Sequence, residues 1–360
     1  MAQVLVFPRD LNPYQNRLHG ALPGDITTRY IDVLPDSRLK ALFFAPRLLA
    51  ALLAGRMQGF RIFHLHWLYP FSLPKIVPGH QYLSMLQTLF FIRIVRLLGY
   101  RLVWTVHNVL PHEQQTSDDR RVARYLAASA AVKIVHSTAS VTQMEAAGLD
   151  TNNLQIIPHG NYIGVYPEHL TSDAARAQLG LQPADRVILF FGIIRPHKGV
   201  EQLLTAFGEQ KLPHARLVIA GACNDPALRK TLTAAKKDAR IIVHDHHISD
   251  DDVALYYRAC DVVCLPFQAV TTSGSALLAL SFGKPLIAPR AGALLDIPAA
   301  AGILYNPETD ASLAKIIRNA LSNPQALAAA GKAAGAYAAT LGQPVIAGKT
   351  AEIYRTLSAK

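Results

Sequence analysis

Cysteine is scarce in this chain of 360 residues, and the cysteines that occur have no regular spacing. They are Cys223, Cys260 and Cys264, which excludes the disulfide framework of small secreted domains. We therefore expect reduced thiols and a cytoplasmic protein. The N-terminus lacks a basic segment followed by a long apolar run, so we expect no signal peptide.

The chain also lacks the uninterrupted apolar run of about 20 residues that a membrane-spanning helix needs. Residues 85–99 come closest, but Arg93 and Arg96 interrupt them, so we expect no transmembrane helix. Low-complexity segments and repeats are absent too. With 51% hydrophobic and 17% charged residues, the sequence predicts folded domains with substantial cores.

Acidic residues are rare in the first third of the chain. Residues 1–112 contain 12 lysines and arginines against four acids, an excess of eight positive charges within a total net charge of +11. This imbalance predicts an acidic partner. No basic run with interleaved aromatic residues occurs, which argues against nucleic acid. The cations instead punctuate apolar runs, as in 45–63 and 83–102, and this favours an anionic membrane surface. Ordinary helices that cover a sheet are the alternative.

Short apolar runs alternate with helical stretches along the chain. The predicted strands lie at 3–7, 61–67, 101–107, 132–137, 154–160, 186–192, 215–221, 240–244, 261–267 and 284–289. Continuous apolar strands joined by helices predict parallel sheets covered on both faces, here in two α/β domains. We place the domains at 1–165 and 166–340. Residues 341–360 form a helix that packs back on the first domain.

The stretch "FFGIIRPHKG" (190–199) ends an apolar strand with two cations. Gly192 allows a tight turn, Arg195 and Lys198 follow, and Gly199 opens the next helix. An arginine and a lysine beside a helix N-terminus offer two kinds of donor to an anion, and a diphosphate fits such a site. A surface loop with ion-paired cations is the alternative.

A second strand end leads through "TTSGS" into an apolar helix. The residues with hydroxyl groups or an open backbone N–H are Thr271, Thr272, Ser273, Gly274 and Ser275. A helix cap needs one hydroxyl, and four surround this glycine. Two helix N-termini of this kind in one domain predict one diphosphate held between them.

Several of these stretches resemble a known family. "FFGIIRPHKGVEQLL", "DDDVALYYRACDVVCLPF" and "SGSALLALSFGKPLIAPRAG", within about 186–305, resemble the donor-binding half of GT-B glycosyltransferases of the GT4-like group. "WTVHNVLPHE" (104–113) and "IIPHGNY" (156–162) resemble its strand-end motifs. The resemblance implies two doubly wound, Rossmann-like domains that face each other across a cleft. It also implies that Arg195 and Lys198 bind the diphosphate of a nucleotide sugar without a metal.

One departure from this group concerns stereochemistry. Its retaining enzymes carry two glutamates eight positions apart, the second of them five residues before the glycine of a G-K-P turn. Counted back from Gly283, these positions hold Val270 and Leu278. The departure favours an inverting branch. The opening residues and the "TSGS" loop resemble bacterial exopolysaccharide enzymes, among them β-mannosyltransferases of the xanthan type.

An inverting transfer needs a general base for the acceptor hydroxyl. "VHNVLPHE" follows a strand and supplies Glu113, our first candidate, with His107 as another; Asp10, after the first strand, is a third. The resemblance implies that His107 contacts the donor sugar, and we add Asn108 to the donor contacts. A structural histidine at 107 and a helix-start acid at 113 are the alternatives.

The cluster "HDHH" (244–247) suggests a metal site, but no further ligand with matching spacing follows. We expect no metal and no cofactor. The resemblance instead places His246 near the nucleotide base. "DDD" (250–252) follows Ser249 at a helix start, where capping explains it.

These features predict a glycosyltransferase on the inner face of the plasma membrane. It transfers a sugar from GDP-mannose, UDP-glucuronate or UDP-glucose to a polyprenyl-diphosphate-linked oligosaccharide in exopolysaccharide synthesis. A retaining transferase, a nucleotide-sugar epimerase of the same fold and a non-catalytic partner subunit are the alternatives. The acid-poor site argues against the epimerase, and the diphosphate site argues against the inactive subunit.

Overall fold

The computed structural model describes residues 1–9, 13–32, 44–111, 114–167, 169–268, 270 and 273–359. They form two compact units, the first made of Met1–Gly160 with Gln343–Lys360 and the second of Asn161–Gly342. Four residues singled out above, Asp10, Glu113, Thr271 and Thr272, lie outside the described residues.

The first unit alternates strands and helices. Its strands are β1 (Ala2–Phe7), β2 (Ile26–Tyr30), β3 (Ile62–Leu65), β4 (Arg101–Thr105), β5 (Val132–Val135) and β6 (Leu154–Ile156). Its helices are α1 (Pro13–Gly20), α2 (Phe44–Met57), α3 (His80–Leu97), α4 (Asp119–Ser129), α5 (Thr138–Ala146) and, from the end of the chain, α13 (Gln343–Ala359).

All strand pairs of the first sheet are parallel, in the order β2-β1-β3-β4-β5-β6. Side chains of β1 alternate between two cores: Leu5 and Phe7 lie on one face, and Val4 and Val6 on the other. Strands buried on both faces need the continuous apolar runs seen in the sequence. Helix α13 packs on the second of these faces, where Tyr354 is fully buried.

The second unit has the same alternation. Its strands are β7 (Arg186–Phe191), β8 (Ala215–Ala220), β9 (Ile241–His244), β10 (Val262–Cys264), β11 (Leu286–Pro289) and β12 (Gly302–Tyr305). Its helices are α6 (Ser172–Gln178), α7 (Val200–Gly208), α8 (Pro226–Ala235), α9 (Val253–Ala259), α10 (Gly274–Ser281), α11 (Leu313–Leu321) and α12 (Pro324–Thr340).

The second sheet is also parallel, in the order β12-β11-β10-β7-β8-β9. The chain runs from β7 outward to β9 and then returns to the other side of β7 at β10. The direction of winding therefore reverses between β7 and β10. In open α/β sheets such a switch point, at the carboxyl ends of the strands, is where ligands bind.

Hydrogen-bonding caps define several helix starts. Thr171 caps α6, because its Oγ1 accepts the N–H of Ala174. A hydroxyl must precede the first helical residue to reach the N–H groups of that turn. Asp225 caps α8 in the same way, with Pro226 as its first residue.

The composition led us to expect reduced cysteines and no membrane-spanning helix, and the described residues bear on both expectations. All three cysteines are unpaired and buried, and burial raises the pKa of the Cys260 thiol to about 11. Among the described residues, no helix combines the length and the hydropathy required to cross a bilayer.

Candidate functional site

The switch point of the second sheet brings together two loops. Residues 192–199 follow β7, and the loop after β10 leads to α10. The Gln268 N–H donates to the His197 carbonyl at 2.9 Å, which joins the two loops. A Cβ on Gly192 would lie 3.2 Å from Ser275 Oγ, so the predicted turn glycine and the predicted hydroxyl are neighbours.

Gly199 joins the first loop to α7 and has a φ of +72°, in the left-handed region. A Cβ at this position would lie 2.0 Å from the Pro266 carbonyl oxygen. Both the backbone conformation and the available space therefore require glycine. This close approach is what allows the turn Pro196–Lys198 to lie against the loop that follows β10.

Lys198 is half-buried and its Nζ lies 4.3 Å from the centre of the Phe267 ring. Burial, and secondarily the Arg195 guanidinium, lower the pKa of the Lys198 ammonium. Arg195 itself is exposed beside it. Two cations held close together, one of them partly desolvated, form a site that an anion would stabilise.

The start of α10 supplies backbone donors to the same region. Ser273 Oγ accepts the Ala276 N–H at 3.1 Å, so Ser273 caps helix α10. Gly274 begins the helix, and a Cβ there would lie 3.2 Å from the Tyr162 hydroxyl. The structure therefore brings together Gly192, Arg195, Lys198, Gly199, Ser273, Gly274 and Ser275.

His246 lies apart from this group, after β9, the edge strand of the sheet. Its side chain is exposed, and its ring centre lies 5.9 Å from that of His244. His244 Nδ1 lies 2.7 Å from the Tyr256 hydroxyl, and Asp245 pairs with Arg229. His244 and Asp245, two of the four members of the "HDHH" cluster, therefore have partners other than a metal.

The two positions of the missing glutamates are part of the core. Val270 and Leu278 are both buried in the cluster that includes Leu265 and Leu294. Val270 also approaches the turn after β11, since a Cβ on Gly292 would meet the Val270 carbonyl. Neither position offers a hydrogen-bonding side chain.

In the first unit, histidines line the carboxyl edge of the sheet, one after each of four neighbouring strands. We call them the imidazole row: His66, His107, His136 and His159. All four rings lie around Tyr14 of α1, with ring centres 4.5–5.9 Å from its own. Sequence reasoning selected only His107; the signal for the others was a histidine within three residues of each strand end.

Backbone carbonyls set the tautomers of two members of the row. His136 Nδ1 donates to Ile157 O at 2.9 Å, and His159 Nδ1 donates to Gly160 O at 2.8 Å. In the neutral rings Nε2 then carries the lone pair. His136 Nε2 is buried and has no hydrogen-bond partner among the described residues.

Burial keeps the imidazole row neutral near pH 7. It lowers the pKa of His136 to about 4 and, with the neighbouring His136 ring as a smaller cause, that of His159 to about 3. Burial and neighbouring imidazoles also hold the pKa values of His66 and His107 well below their ordinary range. A neutral imidazole has a lone pair and can accept a proton or a hydroxyl hydrogen bond.

A pocket opens beside the row, between the ends of β3 and β4 and the start of α4. Trp67 and His107 stack there with ring planes 9° apart and centres separated by 4.3 Å. Exposed Asn108 also lines the pocket, with Gln115 and Thr116. The pocket is small, with a volume of about 80 Å³, and it combines aromatic faces with amide and hydroxyl groups.

A second set of buried imidazoles shares His66 with the imidazole row and has the close spacing of metal ligands. One ring nitrogen each from His19, His64 and His66 lies within 4.8 Å of the others. However, both nitrogens of His64 are already engaged, Nδ1 with Tyr354 at 2.6 Å and Nε2 with Thr105 at 2.7 Å. A metal would have to displace one of these bonds, so the set does not fit a preformed metal centre.

Two parallel, doubly wound sheets, one with a basic site at its switch point, are the architecture of the GT-B glycosyltransferases that this structure resembles. The family described as "Glycosyl transferases group 1" matches residues 171–336. The chain belongs to this family, and it is a glycosyltransferase.

A relative and two solved structures illustrate the similarity. The chain is 30% identical to the GDP-mannose:glycolipid 4-beta-D-mannosyltransferase of Xanthomonas campestris over 315 residues, 84% of this chain and 78% of that protein. The fold resembles sucrose-phosphate synthase from Thermosynechococcus elongatus, with a TM-score of 0.78, 19% identity and 99% of each chain covered. It also resembles Anabaena HepE in complex with UDP-glucose, with a TM-score of 0.75, 20% identity and 100% of each chain covered.

Proposed function

We propose that this glycosyltransferase moves a sugar from a nucleotide-sugar donor to a lipid-linked oligosaccharide in exopolysaccharide synthesis. The observation that carries the proposal is the pair of loops at the switch point of the second sheet. They place Arg195, Lys198 and the start of α10 together, and these groups suit a diphosphate.

GDP-mannose is our first candidate for the donor, with UDP-glucose and UDP-glucuronate next. Support comes from the Xanthomonas relative, whose name specifies GDP-mannose and a glycolipid acceptor. The same name supports a lipid-linked acceptor. We accordingly propose that the protein works at the cytoplasmic inner face of the plasma membrane, peripherally bound to an anionic surface.

We further propose that the transfer inverts the anomeric centre. Val270 and Leu278 are buried and apolar, so no carboxylate is present there to support a front-face reaction. Direct displacement from the opposite face needs a base on the acceptor hydroxyl, and our candidates are Glu113, His107 and Asp10.

The donor and acceptor are tested together with radiolabelled GDP-mannose, UDP-glucose and UDP-glucuronate, each incubated with purified protein and a bacterial membrane extract. We expect label from one donor, foremost GDP-mannose, in the lipid fraction. Release of the label by mild acid, which cleaves polyprenyl diphosphates, identifies the carrier. Failure of all three donors to label lipid contradicts the proposal.

The stereochemistry is tested by proton NMR of the product. We expect a β linkage from an α-linked donor such as GDP-mannose. Replacement of the base should then lower kcat far more than it weakens donor binding. The variants Glu113→Gln and His107→Gln test the two candidate bases one at a time. An α linkage from an α donor would overturn the inverting assignment, whatever the variants show.

A further inference from the structure

The surface formed by α2 and α3 is unusually apolar for a water-exposed pair of helices. Met57 on α2 is 88% exposed, and Phe90 and Leu97 on α3 are 52% and 70% exposed. Ile76, in the segment before α3, is 71% exposed. Contiguous exposed apolar side chains of this size mark an interaction surface.

The exposed apolar residues of α3 form one stripe. Tyr82, Leu86, Phe90 and Leu97 recur with helical spacing and face outward, while the opposite side of the helix is buried in the core. Arg93 completes the stripe between Phe90 and Leu97. The outward side of α3, where a helix on a globular domain normally carries charged residues, is therefore mostly apolar.

Helix α2 extends this surface. The Phe44 and Phe91 rings are in contact beneath it, with centres 6.2 Å apart. At the other end, Arg56 Nε donates to the Leu98 carbonyl at 2.7 Å. The exposed side chains of α2, including Leu53 and Met57, thus belong to the same side of the first unit. We call the exposed residues of 44–57 and 76–97 the α2–α3 face.

The charges within the segment that carries this face have one sign. The sequence from 44 to 111 contains seven lysines and arginines and no aspartate or glutamate. Arg47, Lys75, Arg93 and Arg96 are exposed on or beside the face. A nucleic acid would leave the apolar stripe unused, whereas an anionic bilayer accepts both the cations and the apolar side chains.

Helix α3 lies between this face and the pocket of the first unit, because its buried side borders the pocket and its exposed side forms the face. Thr88 of α3 and Tyr69, from the turn Tyr69–Phe71, both line that pocket, together with Trp67 and His107. The turn is tied to α3, since the Leu73 N–H donates to Ser84 Oγ at 2.8 Å.

We propose that the α2–α3 face lies in the interfacial plane of an anionic lipid bilayer, with its apolar stripe inserted among the lipids. The proposal rests on the proposed function, which requires a lipid-linked acceptor, and adds the surface and its mode of binding. Helices α2 and α3 lie parallel to the membrane.

Insertion is tested with an environment-sensitive fluorophore on single introduced cysteines, Leu86→Cys in the face and Val345→Cys on α13. Val345 is a matched control because it is a 52% exposed apolar residue on a helix of the same unit. The three native cysteines are buried and do not compete for the label in the folded protein. With phosphatidylglycerol vesicles we expect a blue shift at position 86 and none at 345.

A second pair of variants tests binding itself. The double variant Leu86→Asp/Phe90→Asp places two acids in the stripe. It should reduce flotation with phosphatidylglycerol vesicles at least tenfold. The control variant Val345→Asp should float like the native protein. Circular dichroism verifies folding. Equal shifts at 86 and 345, or undiminished flotation of the double variant, would overturn the proposal.

The outcome for the membrane face is separable from that for the transfer reaction. Transfer to acceptor dissolved in detergent reports the proposed function without any vesicle. Flotation without transfer to any acceptor would contradict the function alone. Transfer in detergent without insertion at position 86 would contradict the face alone.

Discussion

At the residue scale, the candidate donor site depends on two cations with different surroundings. Arg195 is exposed, whereas Lys198 is half-buried against Phe267 and its ammonium pKa is lowered by that burial. A partly desolvated cation interacts more strongly with an anion than an exposed one does. Lys198 should therefore contribute more to donor binding than Arg195.

We predict that Lys198→Ala and Arg195→Ala each lower kcat/KM about 10- to 150-fold, since a charge-assisted hydrogen bond contributes about 1.5–3 kcal/mol. Lys198→Met retains the stem against Phe267 and should lose activity without losing stability. Lys230→Ala, an exposed lysine of the same unit, is the control. If Lys198→Ala and Arg195→Ala both have unchanged kinetics, the assignment of these two cations to the donor diphosphate is wrong.

We predict that activity persists in excess EDTA, because two cations and helix N-termini already face the proposed diphosphate. Assays run with the purified protein before and after prolonged dialysis against the chelator check this. Loss of activity that magnesium or manganese restores would show that a metal takes part in donor binding.

At the element scale, the edge strands were the hardest to predict. The predicted strands omitted β2 (Ile26–Tyr30) and β12 (Gly302–Tyr305), which form one edge of each sheet. Both are short, and only one residue of each is buried: Ile26 and Tyr305. The apolar pattern identified the central strands and the opposite edge strands, β6 and β9, but it missed these two.

The junction between the β7 loop and α7 gives a sharp test of backbone geometry. We predict that Gly199→Ala abolishes most activity and lowers stability by about 1–3 kcal/mol, because the new Cβ meets Pro266 and the left-handed φ is strained. Gly208→Ala, at the end of the same helix, has nothing within 4 Å and no positive φ. It should be neutral or stabilising. Chemical denaturation of both variants, alongside donor binding, checks the contrast.

At the scale of the whole molecule, the two units differ in their sensitivity to acid. The first unit buries five histidines, His19, His64, His66, His107 and His136, and His159 is half-buried there. The histidines at 169, 214, 246 and 247 in the second unit are exposed. A buried imidazole binds a proton readily only after the chain unfolds.

We predict that the first unit loses stability as pH falls below about 6.5. Burial lowers the pKa values of His19 and His136 to about 4, so between pH 6.5 and 4 the unfolded chain binds protons that the folded chain does not. Each such histidine costs about 1.4 kcal/mol per pH unit on acidification, and stability is restored as pH rises.

Both tryptophans of the chain, Trp67 and Trp104, lie in the first unit, so their fluorescence reports its unfolding selectively. Urea midpoints at pH 7, 6 and 5 should fall steadily. His19→Gln should make this slope shallower, and His214→Gln, at an exposed position of the second unit, should not change it. Midpoints independent of pH would contradict the burial of these rings in neutral form.

The sequence by itself determined the α/β class, the two series of strands and the cations after β7. These are local properties: burial on two faces demands continuous apolar runs, and a turn into a helix N-terminus demands glycine. Only the tertiary structure decided the strand order, and with it the contact between the loops after β7 and β10. It also assembled the imidazole row, whose members are separated by about 20 to 40 residues, and the α2–α3 face. Which strand ends lie side by side depends on how distant segments pack, and no local pattern of residues encodes it.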